Sequence, residues 1–244
     1  MTEPMFLAVL ADPQVGQPVS LAGEESRHAT QVRRIRVGEV VLISDGAGTA
    51  VRGPVTVADK TGLTITVSEV LREPSRPVRY VAVLALAKGD RAELAVETMT
   101  ELGVDEIIPW PAERSVVRWA PDRVERGLTR WRATAREAAK QSRRFRVPTV
   151  TVPASTAELI QRIEQTHLTL VLHEGADQLL ATLPVPASGE VMFIIGPEGG
   201  LTTDEVAEFV AAGGVPVLLS DAVLRTSSAG VVALAQLQAL AARG

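Results

Sequence analysis

The stretch Phe193-Ile194-Ile195-Gly196-Pro197-Glu198-Gly199-Gly200-Leu201 decides the fold, because it joins an apolar run to a glycine-rich loop. The apolar run predicts a strand buried in a parallel sheet, and Thr202 or Thr203 can cap a helix that follows. In open α/β sheets, ligands bind at such strand ends, and glycines let the backbone approach them closely. A plain strand–helix turn would explain the glycines equally well, but it needs no glutamate between Pro197 and Gly199. The loop matches neither the dinucleotide fingerprint nor the phosphate-binding loop of nucleotide hydrolases.

Strand and helix patterns alternate on both sides of this loop. Apolar runs predict strands at 80–87, 104–109, 168–172, 190–195 and 215–219. Helical periodicity predicts helices at 91–102, 124–142, 203–212 and 227–242, the first capped by Asp90 and ended by Gly103. This alternation is typical of a mostly parallel sheet covered on both faces, so we expect an α/β fold.

Residues before this region have a different pattern. Short strands are predicted at 37–43, 51–57 and 63–70, with one short helix near 24–33, which favours a small β-barrel. Two prolines stiffen the connector Arg72-Glu73-Pro74-Ser75-Arg76-Pro77. We therefore expect two domains, at 1–72 and 73–244.

Composition excludes several classes of site. The chain of 244 residues contains no cysteine, so disulfides and thiolate metal sites are excluded. Its three histidines are scattered, and we expect no metal. No apolar run reaches the about 18 residues of a membrane span, and the N-terminus lacks the basic start of a signal peptide. We expect a cytoplasmic protein with no membrane partner.

Charge is segregated along the chain. A formal net charge of −4 argues against a nucleic-acid partner at first. Yet 113–146 contains eleven Arg or Lys and four acids, a net +7 that leaves −11 elsewhere. Within it, Arg132, Arg136 and Lys140 recur at helical spacing beside an apolar stripe that includes Trp131, which fits contact with a phosphate backbone. A solvated helix face is the alternative, although such a face normally mixes signs.

A second loop, 218–230, also follows a predicted strand and leads into the last helix. Arg225 stands in it between Leu224 and small polar residues. A helix N-terminus favours anions or carbonyl oxygens. The alternative is that Thr226 or Ser227 caps the helix and Arg225 is solvated.

Taken in order, these motifs resemble the RsmE-type ribosomal RNA small subunit methyltransferases of the SPOUT superfamily. The resemblance runs through nearly the whole chain. It rests on His28 with Val32-Arg33-Arg34 and Gly38-Glu39, Lys88-Gly89-Asp90-Arg91, Glu101-Leu102-Gly103-Val104, Pro109, Glu113-Arg114-Ser115, Glu137-Ala138-Ala139, Gln141-Ser142, Arg144, Val147-Pro148, the loop 195–201 with Glu205, and Leu224-Arg225-Thr226. The chain departs from the family at Ser220, where glycine is usual, and at Ser227, where a glutamate is usual.

The resemblance implies both the fold and the reaction. The first domain is expected to be a PUA-like β-barrel that binds RNA, and the second a SPOUT α/β domain with a deep trefoil knot. The expected reaction is methylation of N3 of a uridine in 16S rRNA, with S-adenosylmethionine as cofactor and no metal. The resemblance also implies 16S rRNA or the small ribosomal subunit as partner, and a homodimer.

The resemblance also implies roles for individual residues. Arg225 is the expected stabiliser of the uridine anion, and Glu198 is expected to position groups or transfer the proton. The expected cofactor-binding residues are Leu172, Glu174, Ile195, Gly196, Pro197, Gly199, Gly200, Leu219, Ser220, Leu224, Thr226 and Ala229. The expected RNA-binding residues are Arg27, His28, Arg33, Arg34, Arg114, Arg132, Arg136, Lys140, Gln141, Arg143 and Arg144.

Three alternatives stay open at this point. The first is a SPOUT methyltransferase for another RNA site, and the second is a non-catalytic RNA-binding assembly factor with the same fold. The third is an α/β enzyme acting on a small molecule. The missing nucleotide fingerprints and the +7 segment disfavour the last.

Overall fold

A computed structural model describes residues 3–59 and 62–242. The chain divides into two compact units. The first contains the described residues up to Ser75 together with Arg136–Val147. The second contains Arg76–Ala135 and the described residues from Pro148 onward.

Six short strands form the sheet of the first unit. The strands are β1 (Met5–Leu7), β2 (Pro18–Leu21), β3 (Val40–Ser44), β4 (Thr49–Ala58), β5 (Leu63–Thr66) and β6 (Glu69–Arg72). Their order is β1-β3-β4-β5-β2, and β6 pairs with β4. Only the β1–β3 pair is parallel. Helix α1 (Gly23–Arg27) continues as a π-helical turn, His28–Val32, where the sequence predicts one helix.

The long strand β4 organises this unit, because it pairs with β3, β5 and β6. Val51 and Val55 are buried. Pro54, between them, and Thr56, just after Val55, are exposed, as alternation along a strand requires. At Gly53 the chain crosses so closely that a Cβ atom would lie 2.0 Å from the carbonyl oxygen of Thr66. No side chain fits there, which explains a glycine inside a strand.

A distant stretch of chain completes the first unit. The N–H of Gly48 donates to the carbonyl of Phe145 at 2.9 Å, and the N–H of Val147 donates to the carbonyl of Gly46 at 2.9 Å. The buried ammonium of Lys140 pairs with Glu25 at 3.0 Å. The first unit is therefore built from two stretches of chain, and local sequence patterns do not reveal that association.

The second unit contains a six-stranded parallel sheet, which confirms the predicted fold class. Its further strands are β7 (Val78–Ala85), β8 (Glu106–Trp110), β9 (Thr149–Val150), β10 (Leu168–Leu172), β11 (Gly189–Ile195) and β12 (Val215–Val217). Their order is β12-β10-β11-β7-β8-β9, and every pair is parallel. Successive strands add on one side of β7 and then on the other, so the carboxyl ends of β7 and β11 lie at a topological switch point.

Five further helices follow or precede these strands. They are α2 (Arg91–Leu102), α3 (Val124–Ser142), α4 (Thr156–Ile163), α5 (Thr203–Ala211) and α6 (Thr226–Ala241). Helix α3 has the bounds that the periodicity predicts, and α2 ends at Gly103 in the left-handed conformation (φ 81°), also as predicted. Asp90 occupies the N-cap position of α2, but its side chain makes no capping hydrogen bond.

Helices α2 and α6 pack closely at Gly230. A Cβ atom at Gly230 would lie 2.6 Å from the sulfur of Met99 and 3.0 Å from Cδ1 of Ile195. The start of α6 is thereby held against β11 and α2. Within the described residues, no helix has the length and apolar character needed to cross a membrane.

Candidate functional site

The carboxyl ends of three adjacent strands open into one cavity of about 470 Å³. The loops that follow β10, β11 and β12 form most of its wall, and the first turn of α6 closes one side. Arg91, the first residue of α2, and Arg114, in the loop after β8, also line it. The cavity therefore lies where ligands bind in open parallel sheets.

This cavity brings together residues that are far apart in the sequence. All twelve residues expected to bind a cofactor line it, as do both expected catalytic residues, Glu198 and Arg225. Leu172, Ile195, Leu219 and Leu224 supply apolar surface, whereas Glu174 supplies a carboxylate. The residues that were expected to act together therefore line one cavity. Their shared position does not assign a role to each of them.

The glycine-rich loop after β11 is a tight turn. The N–H of Gly200 donates to the carbonyl of Pro197 at 2.9 Å, and Gly200 has a φ of 70°, which favours glycine. A Cβ atom at Gly199 would lie 3.2 Å from Cβ of Arg114. The loop is therefore packed against the segment that carries Arg114.

Two side chains tie this loop to neighbouring segments. Oε1 of Glu198 accepts hydrogen bonds from the N–H of Lys88 at 3.2 Å and from Nη1 of Arg91 at 3.3 Å. Nη1 of Arg114 donates to the carbonyls of Gly199 at 3.2 Å and Leu201 at 3.3 Å. Glu198 thus ties the loop to the start of α2, and Arg114, expected at the RNA, holds its backbone in place.

Helix α5 begins with a capping box that anchors the far end of the loop. Oε2 of Glu205 accepts from the N–H of Thr202 at 2.9 Å, and the N–H of Glu205 donates to Oγ1 of Thr202 at 3.1 Å. Oε1 of Glu205 also accepts from the N–H of Glu113 at 2.7 Å. Thr202 is therefore the cap, and Glu205 joins the loop to the segment around Glu113.

The loop before α6 is tied to the glycine-rich loop by one hydrogen bond. The hydroxyl of Thr226 donates to the carbonyl of Gly196 at 3.0 Å, and Thr226 itself is buried. Nε2 of Gln236 donates to the carbonyl of Leu219 at 3.0 Å. Both contacts fix the spacing of the loops that face each other across the cavity.

Arg225 is the N-cap of α6 and differs from Arg91 and Arg114, which bind the glycine-rich loop. Its backbone is extended (φ −69°, ψ 153°), and its carbonyl accepts the N–H groups of Ser228 and Ala229, each at 2.8 Å. The side chain is exposed, and within the described residues its guanidinium makes no hydrogen bond or ion pair. This charge at the cavity wall is available to a ligand.

The two departures from the family pattern are accommodated locally. The hydroxyl of Ser220 donates to the carbonyl of Ala222 at 3.0 Å and accepts the N–H of Ala222 at 3.2 Å. Ser220 does not have a positive φ, so the backbone does not require glycine there. Ser227 is buried in the first turn of α6.

Most of the expected RNA-binding residues lie at the surface of the unit that contains them. Arg27, Arg33, Arg34, Gln141 and Arg143 are exposed. His28 is half-buried, edge-on to Phe6 with ring centroids 6.2 Å apart. Arg132 pairs with Glu125 at 3.2 Å, and Arg136 lies 3.7 Å from Glu25. Arg144 is half-buried and has a partner in the structure.

Lys140 corrects the sequence interpretation. Its side chain is 3% exposed and its ammonium is bound by Glu25 and Glu137. A cation covered by protein and paired twice does not reach a phosphate. Helical spacing placed Lys140 on the basic face, whereas its neighbours in the fold cover it.

Acids from other parts of the chain also reduce the +7 excess of 113–146. Arg130 pairs with Glu93, and Arg146 lies 3.6 Å from Glu73. Counting charge along the sequence therefore overstates the basic surface. Within the described residues no group of three or more His, Asp or Glu side chains could hold a metal ion.

Comparison with protein families assigns both parts of the chain. Residues 74–238 match the model of an RNA methyltransferase domain. Residues 21–68 match the model of an RNA methyltransferase PUA domain.

Individual relatives agree with these matches. The ribosomal RNA small subunit methyltransferase E of Mycobacterium bovis is 42% identical over 95% of this chain and 90% of its own length. The protein of the same name from Bacillus subtilis is 31% identical over 88% of this chain and 87% of its own. A crystal structure of ribosomal RNA small subunit methyltransferase E from Neisseria gonorrhoeae, bound to S-adenosylmethionine, superimposes with a TM-score of 0.87 at 28% identity, over 98% of each chain.

Proposed function

The chain belongs to the ribosomal RNA small subunit methyltransferase E family, and we propose on this premise that it methylates N3 of a uridine in 16S rRNA with S-adenosylmethionine as methyl donor. One observation carries the proposal: a single cavity at the sheet edge collects the predicted cofactor residues, Glu198 and Arg225. The methylated atom, N3 of a uridine, is the part of the proposal that family membership alone does not establish.

The cavity fits S-adenosylmethionine in size and in chemistry. Its about 470 Å³ lies within the usual range of small-molecule sites. Apolar side chains form one part of the wall, and the rest contains carboxylates, guanidinium groups, glycines and small polar residues. This mixture suits a molecule that carries a flat purine, a positive sulfonium, an ammonium and a carboxylate.

When bound, this cofactor supplies a methyl group made electrophilic by its sulfonium. Leu172, Ile195, Leu219 and Leu224 would enclose its apolar part. The backbone at Gly196 and Gly200 approaches the cavity without side chains, so peptide groups there can recognise a polar edge. The other predicted members of this wall are Glu174, Pro197, Gly199, Ser220, Thr226 and Ala229.

Arg225 and Glu198 would act on the uridine. N3 becomes nucleophilic only when it loses its proton, and the resulting anion needs a positive charge nearby. Arg225 offers an uncommitted guanidinium at the wall of the cavity. Arg91 and Lys88 fix Oε1 of Glu198, so its carboxylate is held in one position from which Oε2 can orient or accept the N3 proton.

Exposed basic residues of both units would bind the rRNA phosphates. Arg27, Arg33, Arg34, Arg136 and Arg143 are the exposed arginines of the first unit in this set, and His28 and Gln141 are near them in sequence. Arg143 has a positive φ (55°), where glycine is the ordinary residue. A strained arginine in place of glycine supports a function for its side chain. Arg114, Arg132 and Arg144 complete the proposed set; Lys140 is left out.

Further parts of the proposal come from the family resemblance. The first domain, 1–72, would be the PUA-like RNA-binding domain, and 73–244 the knotted SPOUT domain. The active enzyme would be a homodimer in the cytoplasm, where small ribosomal subunits are found. Because N3–H is used in base pairing, the target uridine must be unpaired when it enters the site.

Single-turnover methyl transfer tests the role of Arg225. Small subunits that lack the modification are mixed with saturating enzyme and labelled S-adenosylmethionine. We expect Arg225→Ala to reduce the rate about 100-fold or more, in the range seen when a group that stabilises developing charge is removed. Arg72→Ala, which removes another exposed arginine, is the control and should leave the rate unchanged. A rate for Arg225→Ala within threefold of the unsubstituted enzyme would contradict the role.

A further inference from the structure

A second cavity of about 240 Å³ lies at the start of α2. It is lined by Leu86 and Ala87 after β7, by the start of α2, by Val117 and Trp119, and by the middle of α3. The two cavities adjoin the same short segment, because Asp90 lines the second and the next residue, Arg91, lines the first. The mechanism above uses none of its side chains.

An indole ring forms a rigid wall of this second cavity. Trp119 packs against Gly127 of α3, where a Cβ atom would lie 2.5 to 2.7 Å from three atoms of the ring. Trp119 also meets the buried Trp131 edge-on, with ring centroids 5.3 Å apart and an interplanar angle of 78°. Glycine weakens the interior of a helix, so its presence at 127 is explained by the close approach of the ring. The result is a fixed aromatic surface beside the cavity.

A buried carboxylate lies in the same wall. Glu93 has a side chain that is 15% exposed, and its Oε1 faces Arg130 as an ion pair. Neither carboxyl oxygen accepts a hydrogen bond within the described part of the chain. Among the described residues, Oε1 has only the ion pair with Arg130, and Oε2 has no partner at all. A buried carboxylate oxygen without a donor is costly, so the site favours a ligand that brings N–H groups. Arg130 is 63% exposed, and its side chain can rotate away from the carboxylate to admit one.

We propose that the second cavity binds a guanine base of the substrate RNA, stacked on Trp119 and held along its Watson–Crick edge by Arg130 and Glu93. This proposal rests on the function proposed above. The edge of guanine presents an acceptor, O6, followed by two donors, N1–H and the N2 amino group. Arg130 and the two oxygens of Glu93 present the complementary order of one donor and two acceptors.

The other bases fit this order less well. Uracil has one N–H between two carbonyls, so one oxygen of Glu93 would face a carbonyl. Adenine and cytosine place a ring nitrogen without hydrogen beside their amino group, and that nitrogen repels a carboxylate. Because the consecutive residues Asp90 and Arg91 line different cavities, a guanine in the same RNA strand as the target is favoured over a free guanine nucleotide.

Calorimetric titration with nucleoside monophosphates tests the recognition. We expect the full chain to bind GMP at least tenfold more tightly than AMP, CMP or UMP. Inosine monophosphate lacks only the N2 amino group and should bind about fivefold more weakly than GMP. Glu93→Gln should weaken GMP binding at least tenfold, because the amide has one acceptor where the carboxylate has two.

Glu97→Gln is the matched control, since Glu97 is exposed one turn further along α2 and lines neither cavity. Trp119→Leu provides a second variant that should weaken GMP binding. S-adenosylmethionine binding measured on every variant shows that each is folded and tests the first cavity separately. Equal binding of the four nucleotides, no binding of GMP, or equal GMP binding by Glu93→Gln and Glu97→Gln would overturn the proposal.

Methyl transfer separates RNA from free nucleotide as the source of the guanine. If the base belongs to the rRNA, Glu93→Gln raises the KM for small subunits at least fivefold and leaves S-adenosylmethionine affinity unchanged. If GMP binding depends on Glu93 but the KM does not, the ligand is a free nucleotide and the RNA part of the proposal is wrong. Failure of the unsubstituted enzyme to bind S-adenosylmethionine would instead contradict the proposed function.

Discussion

The hydroxyl of Thr226 is the contact at which two cavity loops meet, because it donates to the carbonyl of Gly196 at 3.0 Å. Replacing Thr226 with valine keeps the shape and leaves a carbonyl without its donor. We predict that the free energy of S-adenosylmethionine binding weakens by about 1–2 kcal/mol. This corresponds to roughly a 5- to 30-fold rise in the Kd. Calorimetry measures it. The control is Thr203→Val, at the same first position of α5 but exposed; similar Kd values for the two variants would contradict the role.

Residue patterns predicted much of the site but not the contacts within it. The strand end at Ile195 and the loop after it pointed to a ligand cavity, because a plain turn explains the glycines but not the glutamate between Pro197 and Gly199. Nothing in the sequence showed that Arg114 holds the carbonyls of Gly199 and Leu201, or that Lys140 is buried. Those outcomes depend on which distant residue arrives opposite, and a linear pattern does not contain that information.

The junction of α2 and α6 is the critical packing contact at the scale of elements. Gly230→Ala would place a methyl group 2.6 Å from the sulfur of Met99, in a fully buried contact. We predict a loss of about 1–3 kcal/mol in the free energy of unfolding, despite the higher helix propensity of alanine. Urea denaturation measures it, with Ala235→Ser on the exposed face of α6 as the control. An unchanged unfolding midpoint for Gly230→Ala would show that the contact relaxes freely.

The start of α4 yields a prediction that depends on pH. Hydrogen bonds from the hydroxyl and N–H of Ser155 lower the pKa of the Glu158 carboxyl. The stabilisation is therefore present above the pKa of the unfolded chain and is lost as pH falls through the lowered pKa of the folded protein. An NMR titration should give Glu158 a midpoint below that of an ordinary glutamate, and Ser155→Ala should raise it. An identical midpoint in the two proteins would contradict this cap.

Elements with a strong period or a clear cap were the most predictable. Helix α3 matches its predicted bounds because Leu128, Trp131 and Ala135 recur on one buried face. Helix α4 was missed, although Ser155 and Glu158 form a recognisable capping box, because the helix has only eight residues. Strands β1 and β2 were missed because three or four residues carry too little alternation.

At the scale of the whole molecule, surface charge should govern the affinity for RNA. Arg143→Gln removes an exposed cation without altering the cavity. If Arg143 contacts a phosphate, this substitution makes the negative slope of log K against log salt for small-subunit rRNA shallower by about 1. The affinity for S-adenosylmethionine does not change. Filter binding over a range of salt concentrations measures the slope, with Arg72→Gln as the control. Equal slopes for the two variants would remove Arg143 from the proposed surface.

The global arrangement was the least predictable part. The parallel sheet follows from alternating strands and helices, but no pattern placed 136–147 in the first unit. That placement depends on hydrogen bonds between residues about a hundred positions apart, such as those of Gly48 and Phe145. A knotted chain is likewise beyond sequence periodicity, because knots are too rare to be proposed without a family resemblance.

Mapping the modified nucleotide decides whether this chain methylates N3 of a uridine in 16S rRNA, as proposed. Small subunits lacking the modification are incubated with the enzyme and labelled S-adenosylmethionine, and the rRNA nucleosides and fragments are analysed by mass spectrometry. We expect one methyl group per subunit, on N3 of a single uridine, and its loss with Arg225→Ala. A methyl group on another base or atom, or no transfer by an enzyme that binds S-adenosylmethionine, would contradict the proposal.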